Sequence, residues 1–456
     1  MDKRVELPAM AMALPAQPGL ASAPAPGKAA RYGWYVVGVL VLAYIAAFLD
    51  RQILSLLVGP IKRDIGISDV QIGLLQGLAF AIFYSTCILP AGWLVDRFNR
   101  RNILAMALAI WCLMTIACGL SRSFPELFMA RMGVGIGEAV LGPAAFSLIS
   151  NYFAKDRLPL AISVYSIGGS LGAGLAYIFG AFAERMAAPA TAALPFLQGF
   201  APWQAAFFIV AAPGFAISLL ILTIREPARA RVAGAQGGPS LRAFLSPRSR
   251  FLAHYCLGIG LLTSVSYANM AWIPAMFERT YGWATADTAR WLGLMMLVFG
   301  TAGILAGGMG AIRLSRRHAD ATLRLAAIIA LVLAPICLVA AIAGNPYLSL
   351  ALYVPFTFLS TSFVSLGPTA IQLITPDALR GRVNGIALML VNIIGISVGP
   401  LVVALLTDHL FGREAMLRWG LGIGSGLLSL AAGLCLLTGL SAYRRVLRDA
   451  SDIEEA

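Results

Sequence analysis

The chain has 456 residues, 59% of them hydrophobic and only 12% charged, a composition that excludes the polar surface of a water-soluble protein. Its net charge of +13 is spread over short loops between apolar stretches, which excludes a nucleic-acid partner. All six cysteines (87, 112, 118, 256, 337, 435) fall inside apolar stretches at spacings that match no metal motif, so they read as small buried hydrophobes without disulfides.

A bilayer core about 30 Å thick needs about twenty mostly apolar residues per helical span. Twelve such stretches occur, at 34–58, 70–95, 102–121, 124–150, 158–181, 203–224, 251–276, 288–312, 323–343, 346–374, 383–408 and 418–442. The expected fold class is therefore an all-α membrane protein with twelve transmembrane helices in two six-helix halves. Residues 1–30 imitate a secretory signal through Lys3, Arg4 and the alanines, but Pro8, Pro15 and Pro18 interrupt any apolar core, so 1–33 is expected to be a disordered cytoplasmic tail. The halves occupy 34–224 and 251–442, joined by a basic linker at 225–250 that contains Gly237-Gly238-Pro239. A short tail of mixed charge, 443–456, follows. With the N-terminus in the cytoplasm, 24 Lys and Arg residues fall on that side and 8 on the other. That bias places both termini in the cytoplasm, with the plasma (inner) membrane as the expected location.

The first span carries two ionisable residues, Asp50 and Arg51, and the fourth carries Arg131 and Glu138. Each costs at least about 2.5–3.5 kcal/mol at a helix centre if left unpaired in lipid, so partners or water are required. Arg131 and Glu138 are two turns apart on one helix face and can look into one cavity. The two spans run in opposite directions, which brings Asp50 and Arg131 to similar depths and predicts an Asp50–Arg131 ion pair. A carboxylate that exchanges a cationic partner for a proton can act as a proton-coupled switch; the alternative is a fixed structural ion pair. Arg51, about 100° around the helix from Asp50, is expected to bond to neighbouring carbonyls.

Between spans two and three, Gly92-Trp-Leu-Val-Asp96-Arg97-Phe-Asn-Arg100-Arg101 sets a carboxylate among arginines at a helix end, suited to a breakable network between the halves. In the fifth span, Gly168-Gly-Ser170-Leu-Gly172 matches the serine-hydrolase G-x-S-x-G pattern, but that pattern needs a strand-to-helix elbow. A mid-membrane helix cannot supply one, and no enzyme is expected. The Ala- and Pro-rich segment from Glu184 to Pro202 looks like an inserted loop.

Internal repetition links the halves. Gly142 to Ile149 (GPAAFSLI) corresponds to Gly367 to Ile374 (GPTAIQLI), 92–101 corresponds to 308–317, and Gly168 and Gly172 correspond to Gly395 and Gly399. In the second half Ile312 stands where the first has Asp96, which argues against a symmetrical latch. Pairs of glycines four residues apart, Gly133/Gly137, Gly168/Gly172, Gly395/Gly399 and Gly422/Gly426, predict close helix packing.

These motifs resemble the major facilitator superfamily, chiefly through the 92–101 loop and Arg131-Met-Gly-Val-Gly135. Phe48-Leu-Asp50-Arg51-Gln52, Gly77-Leu-Ala-Phe80, Phe83-Tyr84, Arg131 through Ala139 and Arg225-Glu226-Pro227 resemble more narrowly the spinster family of lipid-linked transporters. The resemblance implies two parallel six-helix repeats with a substrate site between them and alternating access by rocking. It further implies Asp50 and Glu138 as protonatable carboxylates, Arg131 as their link, and Asp96 with Arg97, Arg100 and Arg101 as a cytoplasmic gate. For an amphipathic ligand, aromatic and polar candidates are Tyr44, Phe80, Tyr84, Tyr267, Asn269, Trp272, Phe356 and Asn392. The expected function is proton-coupled transport of an amphipathic small molecule by a monomer surrounded by membrane lipids, with protons as coupling ion and no cofactor. The resemblance implies a lysolipid- or sphingolipid-like substrate. Organic-acid uptake and a transport-inactive sensor are the alternatives, and the direction of transport is open.

Overall fold

The computed structural model describes residues 26–154, 157–227, 240–376 and 379–455. Twelve helices in it are long and apolar enough to cross a membrane. They are α1 (Arg31–Leu56), α2 (Asp69–Arg97), α3 (Arg100–Leu120), α4 (Phe124–Tyr152), α5 (Leu160–Ala193), α6 (Pro202–Leu222), α7 (Ser249–Tyr281), α8 (Thr285–Ser315), α9 (Ala321–Ile342), α10 (Pro346–Gln372), α11 (Arg380–Phe411) and α12 (Glu414–Asp449). No strand occurs among the described residues. In lipid every backbone polar group must be satisfied within its own segment, which leaves the helix as the solution for apolar runs of this length.

Local signals set the helix ends. Ser68 and Gln71 form a capping box at the start of α2, and the Asn99 and Asn345 side chains cap α3 and α10. Gly282 and Gly412 adopt positive φ after α7 and α11, where a Cβ would be strained.

Three boundaries depart from expectation. The segment from Glu184 is no inserted loop: α5 continues to Ala193 before a short 3₁₀ turn, Pro195–Leu197, because alanine favours helix strongly. The C-terminal tail is helical through Glu455. Tyr443 within it is fully buried against the Thr322 hydroxyl, and Arg444 pairs at 3.0 Å with the buried Asp320. At the other end the helix already begins at Pro26; residues 1–25, and 228–239 of the linker, lie outside the described residues.

Several glycines sit where helices touch. A Cβ on Gly399 would lie 2.0 Å from the Ser264 carbonyl oxygen of α7, and one on Gly137 would lie 2.7 Å from Trp111 of α3. Such approaches supply packing where lipid gives no hydrophobic drive.

The face carrying the chain termini is called here the terminal face and the opposite one the distal face. Between described residues, the hydrogen bonds and ion pairs that join the two halves run from mid-membrane to the distal face. Tyr177 and Gln52 both donate to the Met270 carbonyl, at 3.0 and 3.1 Å. Nearer the distal face, Arg185 meets Asp287 at 3.0 Å and the Val70 amide donates to Asp408. Asp69, wholly buried, holds Arg279 at 2.6 Å and Lys62 at 2.6 Å, and Lys62 also reaches Glu414 at 2.8 Å. The distal face is thus closed by charge pairs.

Candidate functional site

Four helices of the first half bring the intramembrane charges together, and the pairing differs from the one expected. Arg131 does not meet the Asp50 carboxylate. Its Nη1 donates to the Asp50 backbone carbonyl at 3.1 Å, while Arg51 binds Glu138, with Nη2 at 2.6 Å and Nε at 2.7 Å from the same Oε2.

Side-chain direction explains the exchange. Helical side chains lean toward the N-terminus of their own helix. On α1 that is the terminal face, and on the antiparallel α4 it is the distal face. The Asp50 carboxylate and the Arg131 guanidinium therefore lean away from each other, whereas Arg51 and Glu138 lean toward each other. Backbone carbonyls point toward a helix C-terminus, so the Asp50 carbonyl faces the distal side, where Arg131 reaches it.

The pairing leaves polar atoms over. Asp50 is 3% exposed, yet its Oδ1 has no hydrogen-bond partner, and the groups beside it are Trp111 and Thr115 of α3. Glu138 Oε1, Arg131 Nε and Trp111 Nε1 are likewise buried without partners. A buried polar group costs free energy unless bonded, so these atoms mark a site with unused hydrogen-bonding capacity.

An aromatic wall surrounds the Arg51–Glu138 pair. The Arg51 guanidinium lies 4.6 Å from the Phe80 ring centre and 4.7 Å from that of Tyr84, and those two rings stack at 5.1 Å. Arg131 approaches Phe80 at 5.7 Å. Cation–π contacts of this kind strengthen when desolvated. Tyr44 stacks on Tyr165 at 5.1 Å, and Phe146 meets Tyr165 edge-on at 5.5 Å. Tyr165 and Phe146 were absent from the sequence-based candidates. Their signal was the nearby Gly168 and Gly169, where a Cβ would lie 3.3 Å from the Tyr44 ring.

The second half contributes Tyr267, which with Phe80, Arg51 and Arg131 lines a cleft between the halves. Other candidates there serve packing. Trp272 is fully buried and donates to the Pro400 carbonyl at 3.0 Å. Asn269 is fully buried and donates to Val265 O and Ser425 Oγ, and Phe356 packs edge-on against Tyr353. Asn392 is half-buried on α11 and does not line the cleft.

Among the described residues, the expected terminal-face gate residues make no bond between the halves in this arrangement, whose distal face is the closed one. Asp96 and Arg97 are exposed, with Arg97 over the Trp93 ring. Arg100 is 3% exposed and bonds Glu226, Ser147 and the Pro227 carbonyl, while the Arg101 amide donates to Glu226. These bonds tie α3 to the end of α6 within one half. Glu226 completes the cluster because α6 returns to the same face as α3, a proximity that chain order alone does not reveal.

Twelve helices in two bundles of six, closed by charge pairs on one face and with buried charges inside the first bundle, form an architecture that family comparison identifies. The model of the Major Facilitator Superfamily matches residues 40–400. The chain belongs to that superfamily. It is similar to an MFS-type efflux pump of Mycolicibacterium smegmatis, 27% identical over 423 residues, covering 91% of this chain and 94% of that one. Protein spinster homolog 1 of Homo sapiens is 24% identical over 424 residues, covering 84% of this chain and 74% of that protein. Among solved structures, a bacterial homolog to the human lysosomal transporter spinster, in an inward-facing and unoccupied conformation, superposes with a TM-score of 0.75. It is 23% identical and covers 92% of this chain and 98% of its own, a likeness of fold. The protein is thus a multi-pass membrane transporter of the major facilitator kind, not an enzyme, and works by alternating access.

Proposed function

We propose that this transporter couples the movement of an amphipathic molecule of lysolipid or sphingolipid type to protons, with Asp50 and Glu138 as the exchanging carboxylates. The observation that carries the reading is the asymmetry between the two. Glu138 is held by Arg51 at 2.6 Å, whereas Asp50 is equally buried and, among the described residues, has no cation within ion-pair distance of its carboxylate. An isolated buried charge is costly and a paired one much less so. In the distal-closed state Asp50 holds the proton and Glu138 is ionised. Transfer of a proton to Glu138 releases Arg51 from it, and the freed guanidinium then favours a different arrangement of the halves. The aromatic wall of Tyr44, Phe80, Tyr84 and Tyr165 suits an apolar tail. The resemblance to the spinster family supports the lipid class, and both termini lie in the cytoplasm on this reading.

Reconstituted protein in vesicles with an imposed pH gradient tests it, with a lysophospholipid, a cationic dye and an aromatic acid as probes. Gradient-driven lysophospholipid flux is expected in wild type and is lost at least tenfold in Asp50→Asn. Flux indifferent to both the gradient and the substitution would overturn the proton-coupled reading. A second reading is organic-acid uptake with Arg131 as the carboxylate receptor. It draws support from Arg131 having no carboxylate partner among the described residues and from similarity to a probable L-galactonate transporter of Escherichia coli, 24% identical over 59% of this chain. Flux confined to the aromatic acid would favour it.

A further inference from the structure

The cleft between the halves encloses about 30 Å³, and besides Arg51, Phe80 and Tyr267 its lining includes Gln52 and Ser55 of α1, Gln76 of α2, Arg131 of α4, and Met270 and Ile396 across the seam. That space admits one group the size of a water or a hydroxyl, not an acyl chain. Most polar groups around it are engaged. Arg51 is on Glu138, and Gln52 donates to both Ser55 and the Met270 carbonyl.

Gln76 is not. Both its Oε1 and its Nε2 are buried and lack a hydrogen-bond partner. The backbone around it is fixed: Cβ atoms on Gly73 and Gly77 would lie 2.9 Å from the carbonyl oxygens of Pro400 and Ile396, so α2 and α11 touch there and the side chain has little freedom to turn elsewhere. Packing alone would favour leucine, because an unpartnered buried amide costs about 1–3 kcal/mol. Beside it, the 98%-buried Arg131 keeps its Nε without a partner, and the ring of Pro400 removes the N–H that would have bonded the Ile396 carbonyl. Donors and acceptors thus converge on a space of single-group size.

We propose that Gln76 is a specificity-determining residue that reads one neutral hydrogen-bonding group, a hydroxyl or an amide N–H, on the head of the amphiphile as it reaches the cleft. The inference rests on the amphiphile reading above and deepens it. The transported molecule carries that group beside its apolar tail, and an analogue lacking it leaves the Gln76 amide unsatisfied, the situation in which polar sites discriminate best.

The test compares binding of palmitoyl lysophosphatidylcholine with that of the analogue lacking only its glycerol hydroxyl, by thermal-shift titration of the full-length protein in detergent. Wild type is expected to bind the hydroxyl-bearing lipid about tenfold more tightly, as one net hydrogen bond allows. In Gln76→Leu the preference falls to about one, the analogue binds as before, and the ligand-free protein melts at the same or a higher temperature. A purely structural glutamine would instead lower the melting temperature and leave the ratio alone. Gln76→Met, of similar length and flexibility, serves if the leucine variant does not fold. An equal preference in wild type and variant would overturn the inference and assign the cavity to a structural water. Failure of wild type to bind either lipid would overturn the amphiphile reading and this inference together.

Discussion

Replacement of Arg51 by methionine is expected to abolish transport and to destabilise the protein by about 3–5 kcal/mol, the usual cost of removing one partner from a buried ion pair. Glu138 is 1% exposed, and both of its contacts with Arg51 fall on one oxygen. Methionine keeps the length and apolar character of the side chain against Phe80 and Tyr84, so the loss isolates the charge. Glu138 would then be buried without its ion-pair partner or be forced to keep a proton throughout the cycle, and either state removes the exchange on which the proposed coupling depends. Glu138→Gln should cost less, because the guanidinium keeps its two rings at 4.6 and 4.7 Å. The double variant should regain much of the stability without regaining transport, a coupling that thermal unfolding of the four proteins measures directly. Arg51→Met with wild-type melting and flux would remove this pair from the mechanism.

Asp69→Ala is expected to open the distal face. Asp69 is wholly buried at the first turn of α2, where the helix dipole favours an acid, and it separates Lys62 of the first half from Arg279 of the second. Its removal deletes two short ion pairs and leaves two cations facing each other across the seam, with the more exposed Glu414 and Glu278 beside them. A change of about 3 kcal/mol against the closed arrangement shifts the balance between the two states roughly a hundredfold. With the native cysteines replaced and a reporter cysteine at Ala271, which lines the cleft on the sealed side, a membrane-impermeant maleimide added from the distal side should label Asp69→Ala and spare the parent. Equal labelling of both would mean that helix packing, and not the Asp69 cluster, keeps this face shut.

The sequence was most legible where a single helix carries the information. Span number, the position of the buried charges and the glycines at helix crossings all follow from apolar run length and from four-residue spacing. The partner of each charge was not legible in that way. Asp50 and Arg131 do lie at similar depths, but depth counts Cα positions, and the pairing is set by which way each side chain leans from its helix. Arg51, adjacent in sequence to Asp50 and about 100° away around the helix, proved to be the residue that reaches Glu138. The terminal-face arginines show the same limit: Arg100 finds Glu226, 126 residues later, only because α3 and α6 pack side by side.

Composition and periodicity by themselves therefore determined that this chain crosses a membrane twelve times, because lipid cannot satisfy an open backbone and leaves helices as the answer. They also determined that four charges would be trapped inside. The tertiary structure decided which charges meet, which aromatic residues form a wall and which merely pack, and which face is closed. Those outcomes depend on the relative rotation of helices and on contacts between halves hundreds of residues apart. Trp272 and Tyr267 lie on the same helix, yet one is sealed against Pro400 and the other lines the cleft, a distinction set by the helix on the other side.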